Sequence, residues 1–172
     1  VDSTVELIDR LIEEHKIITR RADSLEKVVN DAGLLSGLKE TRAAFTPDEL
    51  TPGENLKKLD EMLAAIESRL ERHFKTEETV LKPAVARYGN EKLVNALNAL
   101  LFEHSDLRDR MLHSRERVDE LRGGNLDPAR RDASARDFGV YLNHSRKLLE
   151  THAARENHFF NELRRHLKKT AR

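Results

Sequence analysis

The sequence predicts an all-α fold, an antiparallel up-down four-helix bundle with a long connection between its first and second helices. Three observations point there. The 172 residues are 36% charged and 5% aromatic, with 7 Gly and 4 Pro, a composition suited to long amphipathic helices. Four segments place apolar residues in alternating steps of three and four, the stripe that bundle helices bury against one another. Between these segments stand residues that start and stop helices.

The first helix is predicted over about 4–30, with Asp31-Ala32-Gly33 as its stop. Residues 31–53 form the long connection, with a short helix near Leu38–Phe45. Thr51-Pro52-Gly53-Glu54 reads as an N-cap, a proline in the first turn and a capping-box acid. The second helix follows over about 54–82 and is expected to end before Pro83. Gly89-Asn90 resets the chain for a third helix over about 90–122, stopped by Gly123-Gly124. Asp127-Pro128 caps a fourth over about 128–168. At 19.8 kDa the whole chain, 1–172, is read as a single domain.

The apolar stripes are specific. They run through Ile8, Leu11, Ile18, Ala22, Leu25 and Val29 on the first helix, and through Leu56, Leu59, Leu63, Ile66, Leu70 and Val80 on the second. The third uses Leu93, Leu97, Leu100, Leu107, Met111, Val118 and Leu121, and the fourth Phe138, Leu142, Leu149, Phe159 and Leu163. Six positions inside these stripes are ionisable instead: His15, His73, Glu77, His104, His152 and Glu156. Burying an unpaired carboxylate costs several kcal/mol even after relaxation, on the order of what a small domain has to spare. Two glutamates among four histidines therefore call for compensation. Proton sharing among them would offset part of the cost, and a pair of divalent or trivalent metal ions much more, by neutralising the carboxylates and using the imidazole lone pairs.

Spacing agrees. His73 and Glu77 are four apart, as are His152 and Glu156. Four residues of helix rotate by about 40° and rise about 6 Å, so each pair projects toward one centre. An internal repeat adds a second line. A shift of 79 carries Leu70, Glu71, His73 and Glu77 onto Leu149, Glu150, His152 and Glu156. A shift of 89 carries Leu11, Glu14, His15, Arg21 and Val29 onto Leu100, Glu103, His104, Arg110 and Val118. The expectation is a pseudo-twofold site with one metal per half and the two glutamates as candidate bridges. Imidazole with carboxylate suits iron, manganese or zinc.

On Glu14-His15, His73-Phe74-Lys75-Thr76-Glu77, Glu103-His104 and His152-Ala153-Ala154-Arg155-Glu156, the chain resembles the hemerythrin-like family, in its HHE cation-binding branch. The likeness spans nearly the whole chain. It implies a four-helix bundle holding two iron ions in a non-haem centre with a bridging oxygen, open to O2, NO or H2O2. The sequence departs from the oxygen carriers of that family twice. Arg108 stands one turn after His104 where they have a further His, and Glu156 lies four residues after His152 where they have Asp at five. These departures turn the expectation from simple oxygen carriage toward reaction with a small oxidant. The alternative is a non-enzymatic module that senses or binds iron or oxygen, with 31–53 as its mobile element.

Other residues read as structural. His113, His144 and His158 fall off the stripes and read as solvated, His166 as structural, Tyr141 as core packing and Glu78 as solvent-facing. Leu70, Phe74, Leu149 and Phe159 read as walls of the site. Lys+Arg and Asp+Glu are both 31, so bulk charge does not drive binding to nucleic acid or an anionic membrane. The chain has no Cys, which excludes disulfides, thiolate metal sites and cysteine nucleophiles. No apolar run reaches membrane-spanning length and no signal-peptide pattern opens the chain, so a cytoplasmic protein is expected.

Overall fold

The computed structural model describes residues 2–30, 52–123 and 126–170. Among these there are four helical rods and no strand. The first rod is α1 (Asp2–Asn30). The second is α2 (Pro52–Thr76), which runs through a π-helical turn (Glu77–Leu81) into α3 (Lys82–Tyr88). The third is α4 (Glu91–Phe102) followed by α5 (His104–Arg122), and the fourth is α6 (Pro128–Thr170). The predicted long connection, its short helix and the Thr51 cap lie outside the described residues.

The rods pack in a ring, α1 against α2 and α6, and α5 against α2 and α6. Cross-links between them are ionic at the rim. Asp9 pairs with Arg164, and Asp23 with Arg146 at 3.2 Å. Glu71 pairs with Arg108 at 2.7 Å, and Asp60 with Arg122 at 3.4 Å. Two start signals act as expected. Asn90 Oδ1 accepts the Leu93 N–H at 3.0 Å to cap α4, and Asp127 Oδ1 accepts the Arg130 N–H at 3.1 Å to cap α6. Gly89 is required by crowding: a Cβ there would lie 2.5 Å from the Val85 carbonyl oxygen.

The second rod departs from expectation, since it does not stop at Pro83. The Lys82 N–H bonds to the Glu77 carbonyl, five residues back, and the wider π turn lets the helix carry Pro83 in its next turn through to Tyr88. The extra residue in that turn also shifts the register by one. Val80, predicted in the stripe, is 51% exposed, and Leu81 and Val85 are buried in its place. The predicted third helix is likewise two pieces. Glu103 interrupts it, its N–H reaching back only to the Leu100 carbonyl at 3.0 Å.

Two apolar clusters result. One gathers Ile18, Leu25, Leu63, Leu107, Phe138 and Leu142 with their neighbours, and the other Ile8, Leu11, Leu81, Leu97, Phe160 and Leu163 with theirs. No helix of the described residues is long and apolar enough to cross a membrane.

The register shift is testable. Leu81→Ala is expected to destabilise the protein by about 2–5 kcal/mol, and Val80→Ala by no more than about 0.5 kcal/mol, in denaturant unfolding. An unshifted α-helix would put the larger cost at Val80.

Candidate metal centre

All six ionisable stripe residues are buried, and the structure brings them together. Relative exposure is 4% for His15, 2% for His73 and His152, 1% for His104, and 0% for Glu77 and Glu156. His15 comes from α1, His73 from α2, Glu77 from the π turn, His104 from the first residue of α5, and His152 and Glu156 from α6.

Each imidazole is held from outside through Nδ1. His15 Nδ1 donates to Asn157 Oδ1, His73 Nδ1 to Glu14 Oε2, His104 Nδ1 to Glu78 Oε1 and His152 Nδ1 to Glu103 Oε2, each at 2.9 Å. These acceptors assign the Nδ1–H tautomer and leave Nε2 as the inward atom on every ring. The four Nε2 atoms face the two carboxylates. Glu156 Oε2 lies 2.9 Å from His15 Nε2, and its Oε1 lies 2.9 Å from His152 Nε2 and 3.4 Å from His104 Nε2. Glu77 Oε1 lies 3.5 Å from His73 Nε2, and its Oε2 lies 3.3 Å from His104 Nε2. Each carboxylate thus turns one oxygen to each half of the repeat.

The set is under-satisfied as it stands. Both oxygens of Glu77, Glu156 Oε2 and His152 Nε2 are buried without a hydrogen-bond partner, because several of the close approaches lack hydrogen-bonding angles. His15 Nε2 and His73 Nε2 face each other at 2.8 Å although both rings already donate through Nδ1. A shared proton on a cationic ring, or a metal ion, must reconcile them. Among the described residues, two groups of side chains could hold a metal: His15, His73, Glu77 and Glu156, and His104, His152 and Glu156. The donor set of nitrogen and carboxylate oxygen fits a divalent or trivalent metal cation.

For the side chains alone, electrostatics split the carboxylates. Burial and the charge of Glu156 raise Glu77, whereas Glu156, opposed by its own burial but faced by His104, His15, His152 and His73, is held well below the usual range. Burial disfavours charge on His73, yet Glu14, Glu156 and Glu77 outweigh it and raise it to about 10. His104 is raised to about 9 against the same opposition, by Glu156, Glu77 and Glu78. His152 is raised too, its burial outweighed by Glu156 and Glu103.

Aromatic rings close the sides. Phe74 stacks on His104 with centroids 3.8 Å apart, and Phe160 stacks on His15 at 5.6 Å. Phe160, rather than the predicted Phe159 alone, forms that wall. His113 and His158 are exposed, as expected, and His166 Nε2 bonds to the Tyr88 carbonyl at 3.1 Å. Glu78 is corrected. Its carboxylate does not simply face solvent but holds His104, and Arg108 fastens it at 3.0 Å while lying 5.2 Å from the Phe74 ring centroid. The outer partners were the residues sequence reasoning left without a role, yet the repeat carries their signal. The shift of 89 takes Glu14 to Glu103, and the shift of 79 takes Glu78 to Asn157.

Residues 6–170 match the family model described as the hemerythrin HHE cation binding domain. No curated protein and no solved structure matches the chain.

Two outcomes follow from this geometry. Metal loading must displace protons from His73 and His104, so adding Zn2+ to chelator-stripped protein in weak buffer at pH 7 is expected to acidify the solution. Stripped protein also carries stability from these raised histidines, complete below their unfolded value of about 6.5 and lost as pH rises through about 9 to 10. Its Tm should fall across that window more than that of the loaded protein. Separately, Glu14→Ala and Asn157→Ala are expected to weaken Zn2+ affinity by roughly 10–100-fold in chelator competition. The helical circular dichroism of both variants should stay unchanged.

Proposed function

The chain belongs to the hemerythrin HHE cation-binding family, and on that footing we propose that it holds two iron ions and uses them to bind and react with a small oxidant, O2, NO or H2O2. The domain spans 1–172 as an antiparallel up-down bundle. Pairings such as Asp9 with Arg164 and Asp23 with Arg146, in which one number rises as the other falls, support that direction. His15 and His73 would hold one ion and His104 and His152 the other, with Glu77 and Glu156, which turn one oxygen to each half, serving both. The observation that carries this reading is the inward set of four Nε2 atoms, each ring anchored at Nδ1, around two buried carboxylates with unpartnered oxygens.

Bound iron supplies redox chemistry and coordination positions for an external ligand, the feature that separates a reactive from a structural metal site. The residues of the chain do the rest. The outer partners Asn157, Glu14, Glu78 and Glu103 fix ring orientation and raise ligand basicity. Phe74 and Phe160 shield two of the imidazoles from water. Arg108 is engaged with Glu71 and Glu78 and carries no lone pair, so it replaces the carriers' further histidine without replacing its donor. A bound ion would thereby keep one protein donor fewer and more room for an external ligand. This favours reaction over simple carriage.

Metal analysis with an optical spectrum of freshly purified, untagged protein tests the reading. Anaerobically iron-loaded protein should develop new charge-transfer absorption with O2, NO or H2O2; a spectrum unchanged by all three rejects it. Glu77→Ala and Glu156→Ala should each lose metal at least as severely as any single His→Ala variant. Near-stoichiometric metal in both would refute the bridging assignment.

A further inference from the structure

Between the helices lies a partly open pocket of about 40 Å³, two of whose lining residues, Leu70 and Leu149, also border the space at the His/Glu centre. Ala22, Leu63, Ile66, Leu107 and Leu142 form much of its wall. Polar groups at its edge are committed elsewhere. Ser114 Oγ donates to the Arg110 carbonyl at 2.8 Å, and Ser145 Oγ to the Tyr141 carbonyl at 2.9 Å. Arg146 lies in ion-pair range of Glu26 at 2.6 Å and Asp23 at 3.2 Å, its Nε left without a well-angled hydrogen bond, and Arg110 pairs with Asp106 at 3.1 Å. A second void, of about 10 Å³, touches His15, His73, Phe74 and His152. Leu70 and Leu149 line both spaces.

Size and chemistry give opposite answers for water here. A site needs about 10–15 Å³ to hold one water molecule, and the larger cavity exceeds that. Water also needs two to four polar partners, and the surface turned to this space is almost wholly carbon. An apolar diatomic molecule needs none. H2O2 would enter with its donors and acceptors unmatched, as water would.

The geometry points to a binding site for a small apolar gas, O2 or NO, that reaches the His/Glu centre past Leu70 and Leu149. This inference rests on the proposed oxidant chemistry and narrows it, making the apolar gases the oxidants that arrive through the bundle. Leu70 and Leu149 move between rotamers to open the way, because the void beyond them is too small to be a standing channel.

Xenon tests the site without any iron. In methyl-labelled, zinc-loaded full-length protein, xenon should shift the methyls of Leu63, Leu107 and Leu142 saturably, and Ala22→Leu or Ser114→Val should abolish the shift. In iron-loaded protein the same two variants should slow O2 and NO reaction several-fold and leave the H2O2 rate within twofold of the parent. Two variants on opposite walls guard against one failing to fold. Absence of a saturable xenon shift overturns the inference, as does a variant that loses xenon yet keeps its O2 and NO rates, or loses H2O2 rate equally. If the iron-loaded parent is inert to every oxidant, the proposed function fails instead, and the xenon shift alone decides whether the gas site exists.

Discussion

Two carboxylates and four imidazoles buried between two apolar clusters are the constraint to which the rest of this molecule answers. Hydrocarbon at those six positions would make a more stable bundle by simple area. With ionisable groups there, orphaned oxygens at Glu77 and Glu156 and facing nitrogens at His15 and His73 leave a demand that protonated rings meet only in part. A metal cation meets it with one species, because it accepts the imidazole lone pairs and neutralises the carboxylates together.

The outer ring of acceptors makes the demand specific. Without Glu14, Glu78, Glu103 and Asn157 the four rings could rotate, take the other tautomer, or turn Nδ1 inward. With them, each ring has one orientation and one inward atom. Arg108 and Arg155 extend the ring by pairing with Glu78 and Glu103, so the acceptors are themselves held. The two helical irregularities belong to the same design. The π turn opens at Glu77, and the break at Glu103 falls immediately before His104. Both adjust the backbone where a side chain of the centre leaves its helix, as π-helical turns often do at functional sites.

Legibility followed physical range. The six inward residues could be read because burial of charge contradicts a hydrophobic stripe in any helical register, and the repeat doubled that signal. Glu78 could not be read, because its partner lies on another helix and its exposed flank looks like solvated surface. An even three-four count, which assumes a regular helix, places Val80 in the stripe, and nothing local announces the extra residue of the π turn. Pro83 reads as a stop for the same reason: a proline breaks an α-helix, and only the widened turn before it lets this one continue.

By itself the sequence determined the all-helical class, most helix ends, the six ionisable residues set inside the apolar stripes and the family resemblance. Periodicity, capping and residue chemistry are local, so they are written along the chain. Tertiary structure alone decided which acceptor holds which ring, which carboxylate oxygen faces which half, the one-residue register shift at Leu81 and the apolar pocket behind Leu70 and Leu149. These depend on distances between rods that meet only after folding, and packing rather than propensity sets such distances.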